Sequence, residues 1–153
     1  MLKLVRANSE SKDFQQLVRL LDDDLSLRDG AEHSFYAQFN KVDSIKNVIV
    51  SYQNELAVGC GAFKKYDDET VEIKRMFVLR EQRGNGIAVD ILKELEKWAS
   101  ELKFKSAILE TGKKQPEAIR LYQKSGYELI PNYGQYEGVE NSVCMKKTLV
   151  SVI

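Results

Sequence analysis

The chain has 153 residues, 43% hydrophobic and 30% charged, with 23 Lys+Arg against 23 Asp+Glu. That length leaves room for one domain with a real core, expected over residues 1–153. The even charge argues against nucleic acid or an anionic membrane surface as the main partner, and no apolar run approaches the roughly 20 residues of a membrane span.

Residues 3–7 read as a first strand. Ser9 or Ser11 then caps a helix whose apolar stripe is Phe14, Leu17, Val18, Leu21 and Leu25. The run Asp22, Asp23 and Asp24 falls near the expected end of that helix, where the dipole disfavours negative charge. It reads first as a solvated patch, with a rim that attracts a cationic amine as the sharper alternative. Arg28-Asp29-Gly30 reads as a turn, and residues 34–40 as a short second helix through Phe35, Tyr36 and Phe39. The lone histidine, His33, reads as a loop residue.

A strand at 47–52, a turn at Gln53-Asn54 and a strand at 55–66 form a hairpin. Gly59 and Gly61 within the second strand imply close packing or a bulge. After a turn at 66–69 comes the central strand, 70–78. A long helix follows, with Ile87, Ile91, Leu95, Trp98 and Leu102 on its apolar stripe. The strand at 106–111 is expected to run parallel to the central one, because a helix connects them as a crossover. Pro116 at N1 opens another helix, which Gly126 stops. Strands at 127–130 and 142–150 flank a turn-rich loop. The expected class is α+β (mixed α/β): a central mixed, mostly antiparallel sheet of about seven strands, flanked by about four helices.

The central strand feeds a polar turn and then Arg83-Gly84-Asn85-Gly86-Ile87-Ala88, which opens the long helix. Free backbone N–H groups and the helix dipole make such a turn an anion site, and glycine lets a ligand approach the backbone. A Walker loop would need Gly-Lys-Ser/Thr, and a dinucleotide fingerprint would need a third glycine. Neither is present. Arg83-x-x-Gly86-x-Ala88 instead resembles the Gln/Arg-x-x-Gly-x-Gly/Ala signature of the GNAT superfamily of acyl-CoA-dependent N-acetyltransferases. Downstream, Ala118, Leu121, Tyr122, Gly126 and Tyr127 match its second landmark, Asn-x-x-Ala-x-x-Leu-Tyr-x-x-x-Gly-Phe/Tyr. Gln115 stands where that landmark has asparagine.

The resemblance implies a GNAT-type fold, acetyl-CoA as co-substrate and a primary amine of a small molecule or peptide as acceptor. By the same likeness, backbone groups of Met76, Phe77 and Val78 hold the pantetheine arm. Arg83, Gly84, Asn85, Gly86, Ile87 and Ala88 hold the pyrophosphate. Tyr122 aligns with the acid that protonates the CoA sulfur, and Glu72, four residues before Met76, with a base. Burial on a strand would suit a base working near neutral pH. A homodimer is compatible with the likeness. A non-catalytic acyl-CoA sensor or interaction module of the same fold is the alternative.

Cys60 and Cys144 both sit in strand-like patterns, and reduced thiols are expected. With no signal-peptide core at the N-terminus, the cytoplasm is the expected compartment. A nucleophilic cysteine needs a nearby base, and His33 alone indicates no Cys–His pair. No metal is expected, since no Cys/His cluster has ligand spacing.

Overall fold

The computed structural model describes residues 2–29 and 45–149. Seven strands follow the chain as β1 (Leu2–Ala7), β2 (Asn47–Gln53), β3 (Leu56–Lys65), β4 (Thr70–Val78), β5 (Ser106–Gly112), β6 (Glu128–Ile130) and β7 (Ser142–Thr148). Three helices are described: α1 (Lys12–Asp29), α2 (Ile87–Glu101) and α3 (Pro116–Lys124). The strands form one mixed sheet in the order β1-β2-β3-β4-β5-β7-β6, the expected α+β class. The expected helix at 34–40, and His33, lie outside the described residues. No described helix is long and apolar enough to cross a membrane.

The chain divides into two compact units, Met1–Lys64 with Lys74–Leu95, and Lys65–Ile73 with Glu96–Ile153. In the first, β1, β2 and β3 pair antiparallel. The β2–β3 turn is Asn54-Glu55, at φ 51° and 71°. Positive φ at both central residues matches the right-handed twist of a hairpin. The core of this unit joins Phe14, Leu17 and Val18 of α1 to Ile45, Val48, Val50, Cys60 and Ala62.

Helix α1 starts where Ser11 Oγ accepts the Phe14 N–H at 3.2 Å, which decides the cap in favour of Ser11. It runs past the expected end, through to Asp29. The acidic run is solvated at Asp23 and partly at Asp22, while Asp24 is largely covered. Asp22 lies 3.6 Å from Arg75 Nη1 and Asp24 lies 3.6 Å from Arg80 Nη2, so two of the three carboxylates face an arginine, and the longer helix leaves all three clear of its last turn.

Helix α2 packs on β3 at its glycines. A Cβ at Gly61 would stand 2.5 Å from Met76 Sδ, 2.8 Å from Ile91 Cγ2 and 2.9 Å from Leu95 Cδ1. Only glycine admits the helix so closely. The buried stripe of α2 is Ile87, Ile91, Leu92, Leu95 and Ala99, whereas Trp98 is half-buried and Leu102 exposed. The sequence stripe thus slips by one position toward the end of the helix.

In the second unit β4 and β5 are parallel, as the crossover rule requires, with Thr70, Val71 and Glu72 opposite Ser106, Ala107 and Ile108. β7 then pairs antiparallel with β5 and with β6. Gly126, at φ 98°, ends α3, and the Tyr127 N–H returns to the Tyr122 carbonyl at 3.0 Å.

Candidate active site

The glycine turn joins the end of β4 to the start of α2. Arg75 breaks the extended backbone of β4 at φ 62°, a conformation uncommon for a side chain of its size, and its carbonyl accepts the Cys60 thiol at 3.3 Å. Met76, Phe77 and Val78 follow this irregularity. Among the described residues the registered β4–β5 pairs end at Glu72–Ile108, four positions earlier than Met76. A short 3-10 turn, Arg80–Gln82, leads to Arg83.

Gly84 and Gly86 then adopt φ 84° and 79°, and a Cβ at either would meet nothing within 4 Å. The first hydrogen bond of α2 runs from Asp90 N to Gly86 O at 3.1 Å. Among the described residues, the amides of Gly84, Asn85, Gly86, Ile87, Ala88 and Val89 donate to no atom of the chain. Open space, glycine backbone and undonated amides at a helix N-terminus are together the conditions for binding a phosphate group. The pyrophosphate of an acyl-CoA fits that set of donors.

A second group of candidate side chains lies wholly within the other unit. Glu72 is 9% exposed. Its Oε2 accepts the Tyr133 hydroxyl at 2.6 Å. Glu72 is therefore not the solvent-facing strand residue that alternation alone would allow. Paired residues of a sheet point to one face, so Glu72, opposite Ile108, shares a face with Glu110 two residues on. Glu110 is opposite Cys144 and accepts the Ser142 hydroxyl at 2.8 Å.

The loop from 131 to 141 supplies the tyrosines. Asn132 Nδ2 donates to the Val139 carbonyl at 3.0 Å and braces the loop, within which Gly134–Tyr136 forms a 3-10 turn. The Tyr133 ring makes edge contacts with Tyr66, at 5.3 Å between centroids, and with Tyr136, at 5.8 Å. Burial, and then the charge and hydrogen bond of Glu72, push the Tyr133 hydroxyl far above the usual tyrosine range. Tyr136 is raised by burial and by Glu110 and Glu72 together.

Tyr122 on α3 is 7% exposed, with its ring edge-on to Tyr127 at 5.8 Å. Burial and the charge of Glu110 hold its hydroxyl above the ordinary value. Among the described residues that hydroxyl has no hydrogen-bond partner. A protonated phenol near a carboxylate can act as a proton donor. Gln115, the departure from the second landmark, precedes α3. Its carbonyl accepts from Ala118 and Ile119, and its side chain makes no cap hydrogen bond.

Both cysteines are free and buried. Burial pushes the Cys60 thiol up to about 12, against the lowering charge of Arg75, and the Cys144 thiol up to about 11. Both thiols therefore keep their protons near neutral pH. Among the described residues no group of three His, Cys, Asp or Glu is placed to hold a metal.

Sequence reading singled out Glu72, Tyr122 and the turn, and took the segment holding Tyr133 and Tyr136 as a turn-rich loop. It missed Glu110. The available signal was a carboxylate inside an otherwise apolar buried strand, Ala107-Ile108-Leu109-Glu110.

Residues 14–127 match the model of the acetyltransferase (GNAT) family. An IAA acetyltransferase from Azospirillum brasilense is 35% identical over 103 residues, covering 66% of this chain and 67% of that protein. The fold is similar to a Klebsiella pneumoniae protein assigned as an acyl-CoA N-acyltransferase, with a TM-score of 0.82, 24% identity, and 98% and 99% of the two chains covered. It is also similar to a GNAT acetyltransferase from Elizabethkingia anophelis solved with acetyl-CoA bound, with a TM-score of 0.69, 18% identity, and 97% and 98% covered. With the family model spanning most of the chain and both of its landmarks in place, the protein belongs to the GNAT family of acetyltransferases.

Proposed function

We propose that the chain moves an acetyl group from acetyl-CoA to a primary amine of a small molecule or peptide, by direct attack in a ternary complex. The observation that carries this reading is the run of undonated amides from Gly84 to Val89 beside the open space at Gly84 and Gly86. Acetyl-CoA bound in the Elizabethkingia relative supports the same ligand here.

Bound acetyl-CoA supplies the thioester. The amides of Gly84, Asn85, Gly86, Ile87 and Ala88 take the pyrophosphate, and the turn that carries them is completed by Arg83. Backbone groups of Met76, Phe77 and Val78, after the irregularity at Arg75, hold the pantetheine arm and polarise the carbonyl. Glu72 takes the proton of the attacking amine, directly or through water. A carbon–nitrogen bond forms as the carbon–sulfur bond breaks. Tyr122 gives its proton to the departing sulfur, so one proton is accepted and one is donated.

A phenol at Tyr122 that keeps its proton near neutral pH favours turnover over a sensing role, since a sensor needs no proton donor. The test is a panel of amines with acetyl-CoA, read by release of free thiol. Thiol release that depends on an amine supports the reading. Tight CoA binding with no release for any amine class would favour a sensor instead.

A further inference from the structure

Three ties fix the guanidinium of Arg83. Its Nε donates to the Val78 carbonyl at 2.8 Å, closing a loop of five residues back onto the end of β4. Its Cζ stands 5.5 Å over the Phe77 ring. Its Nη2 lies 3.9 Å from Asp24 Oδ2, while the other oxygen of Asp24 lies 3.6 Å from Arg80 Nη2. The Asp24 side chain is only 18% exposed. One carboxylate on α1 therefore reaches both arginines that flank the short turn leading to Gly84 and Gly86.

On electrostatics alone this placement is unfavourable. A carboxylate beside an anion-binding turn lowers the positive potential that attracts the anion. What the contact offers is order. Gly84 and Gly86 at positive φ give the turn more freedom to lose than other residues would. A turn ordered during folding does not lose that freedom again on binding. The guanidinium of Arg83 faces β4 and α1, which leaves the phosphates to the backbone amides.

We propose that Asp24 is a positioning residue for the glycine turn. It pairs with Arg80 and holds Arg83 against the end of β4, so that the amides of Gly84 to Ala88 are presented in place. The inference rests on the reading of that turn as the pyrophosphate site.

The test is calorimetric CoA binding to the full chain and to Asp24→Asn, Asp24→Glu, Asp23→Asn, Arg83→Gln and the Asp24→Asn/Arg83→Gln double variant, each first shown to be folded by its melting curve. Asp24→Asn is expected to weaken CoA binding about fivefold, although it removes a negative charge from beside an anion site. Asp23→Asn removes the same charge from an exposed neighbour and is expected to leave affinity within about twofold. Asp24→Glu should regain part of the loss. Once Arg83→Gln is present, adding Asp24→Asn should cost little more, because the two act as one unit.

Unchanged or tighter binding by Asp24→Asn overturns the proposal, as do additive losses in the double variant or an equal loss in Asp23→Asn. A wild-type chain that binds no CoA overturns the reading of the turn as well. A wild type that binds while Asp24→Asn matches it overturns this inference alone.

Discussion

The Tyr133 hydroxyl donates a 2.6 Å hydrogen bond to Glu72 Oε2 across 61 positions of sequence. It is a charge-assisted contact to a buried carboxylate, and the raised pKa of the phenol means that the donor keeps its proton near neutral pH. Tyr133→Phe leaves Glu72 one donor short while preserving the ring contacts with Tyr66 and Tyr136. We expect it to lower stability by about 1–2 kcal/mol, a fall in Tm of roughly 2–8 °C for a chain of this size. Thermal unfolding checks this. An unchanged Tm would show that the contact contributes nothing to the fold.

Glu72→Gln keeps an acceptor for Tyr133 but removes the proposed base. The expected outcome is a Tm near wild type and a kcat reduced by roughly 10²–10⁴-fold, measured by free thiol release. Activity within a factor of two of wild type would assign the amine proton to water alone.

Tyr122→Phe removes the proposed proton donor and keeps the ring packed edge-on to Tyr127. Turnover should fall by about 10²-fold or more while CoA affinity stays close to wild type. The pH dependence has a definite sign. A phenol raised by burial and by Glu110 holds its proton beyond the ordinary tyrosine value, so its deprotonation should not limit the rate below about pH 10. An alkaline limb near pH 8 that disappears in Tyr122→Phe would contradict the environment described for it.

Gly61 sits where α2 meets β3, and Gly61→Ala should cost about 1–3 kcal/mol, because its Cβ falls within 3 Å of Met76, Ile91 and Leu95. Gly112→Ala is the control. Its Cβ would find only ordinary contacts, 3.5 Å from Asn141 and 3.6 Å from Gln115. Thermal melts of the two variants should separate them, and equal Tm values would mean that the α2–β3 packing relaxes freely.

Features carried by local chemistry were legible in the sequence. The turn at Gly84 and Gly86 needs positive φ, Pro116 and Gly126 bracket α3, and the parallel β4–β5 pairing follows from a helical crossover. Features carried by long-range pairing were not. Nothing near Asp22 or Asp24 announces Arg75, Arg80 and Arg83, so the acidic run looked solvated and α1 looked shorter than it is. Nothing near Glu72 announces Tyr133. The exposure of Leu102 escaped periodicity because apolar spacing does not say where a helix leaves its partner surface.

The central claim is that undonated amides at the start of α2 hold the phosphates of acetyl-CoA. It is tested most directly by calorimetric titration of CoA into the wild type and into Gly86→Glu, which sets bulk and negative charge in the open space beside those amides. The account predicts saturable binding by the wild type and none by a folded Gly86→Glu. Equal affinity in the two proteins would contradict it.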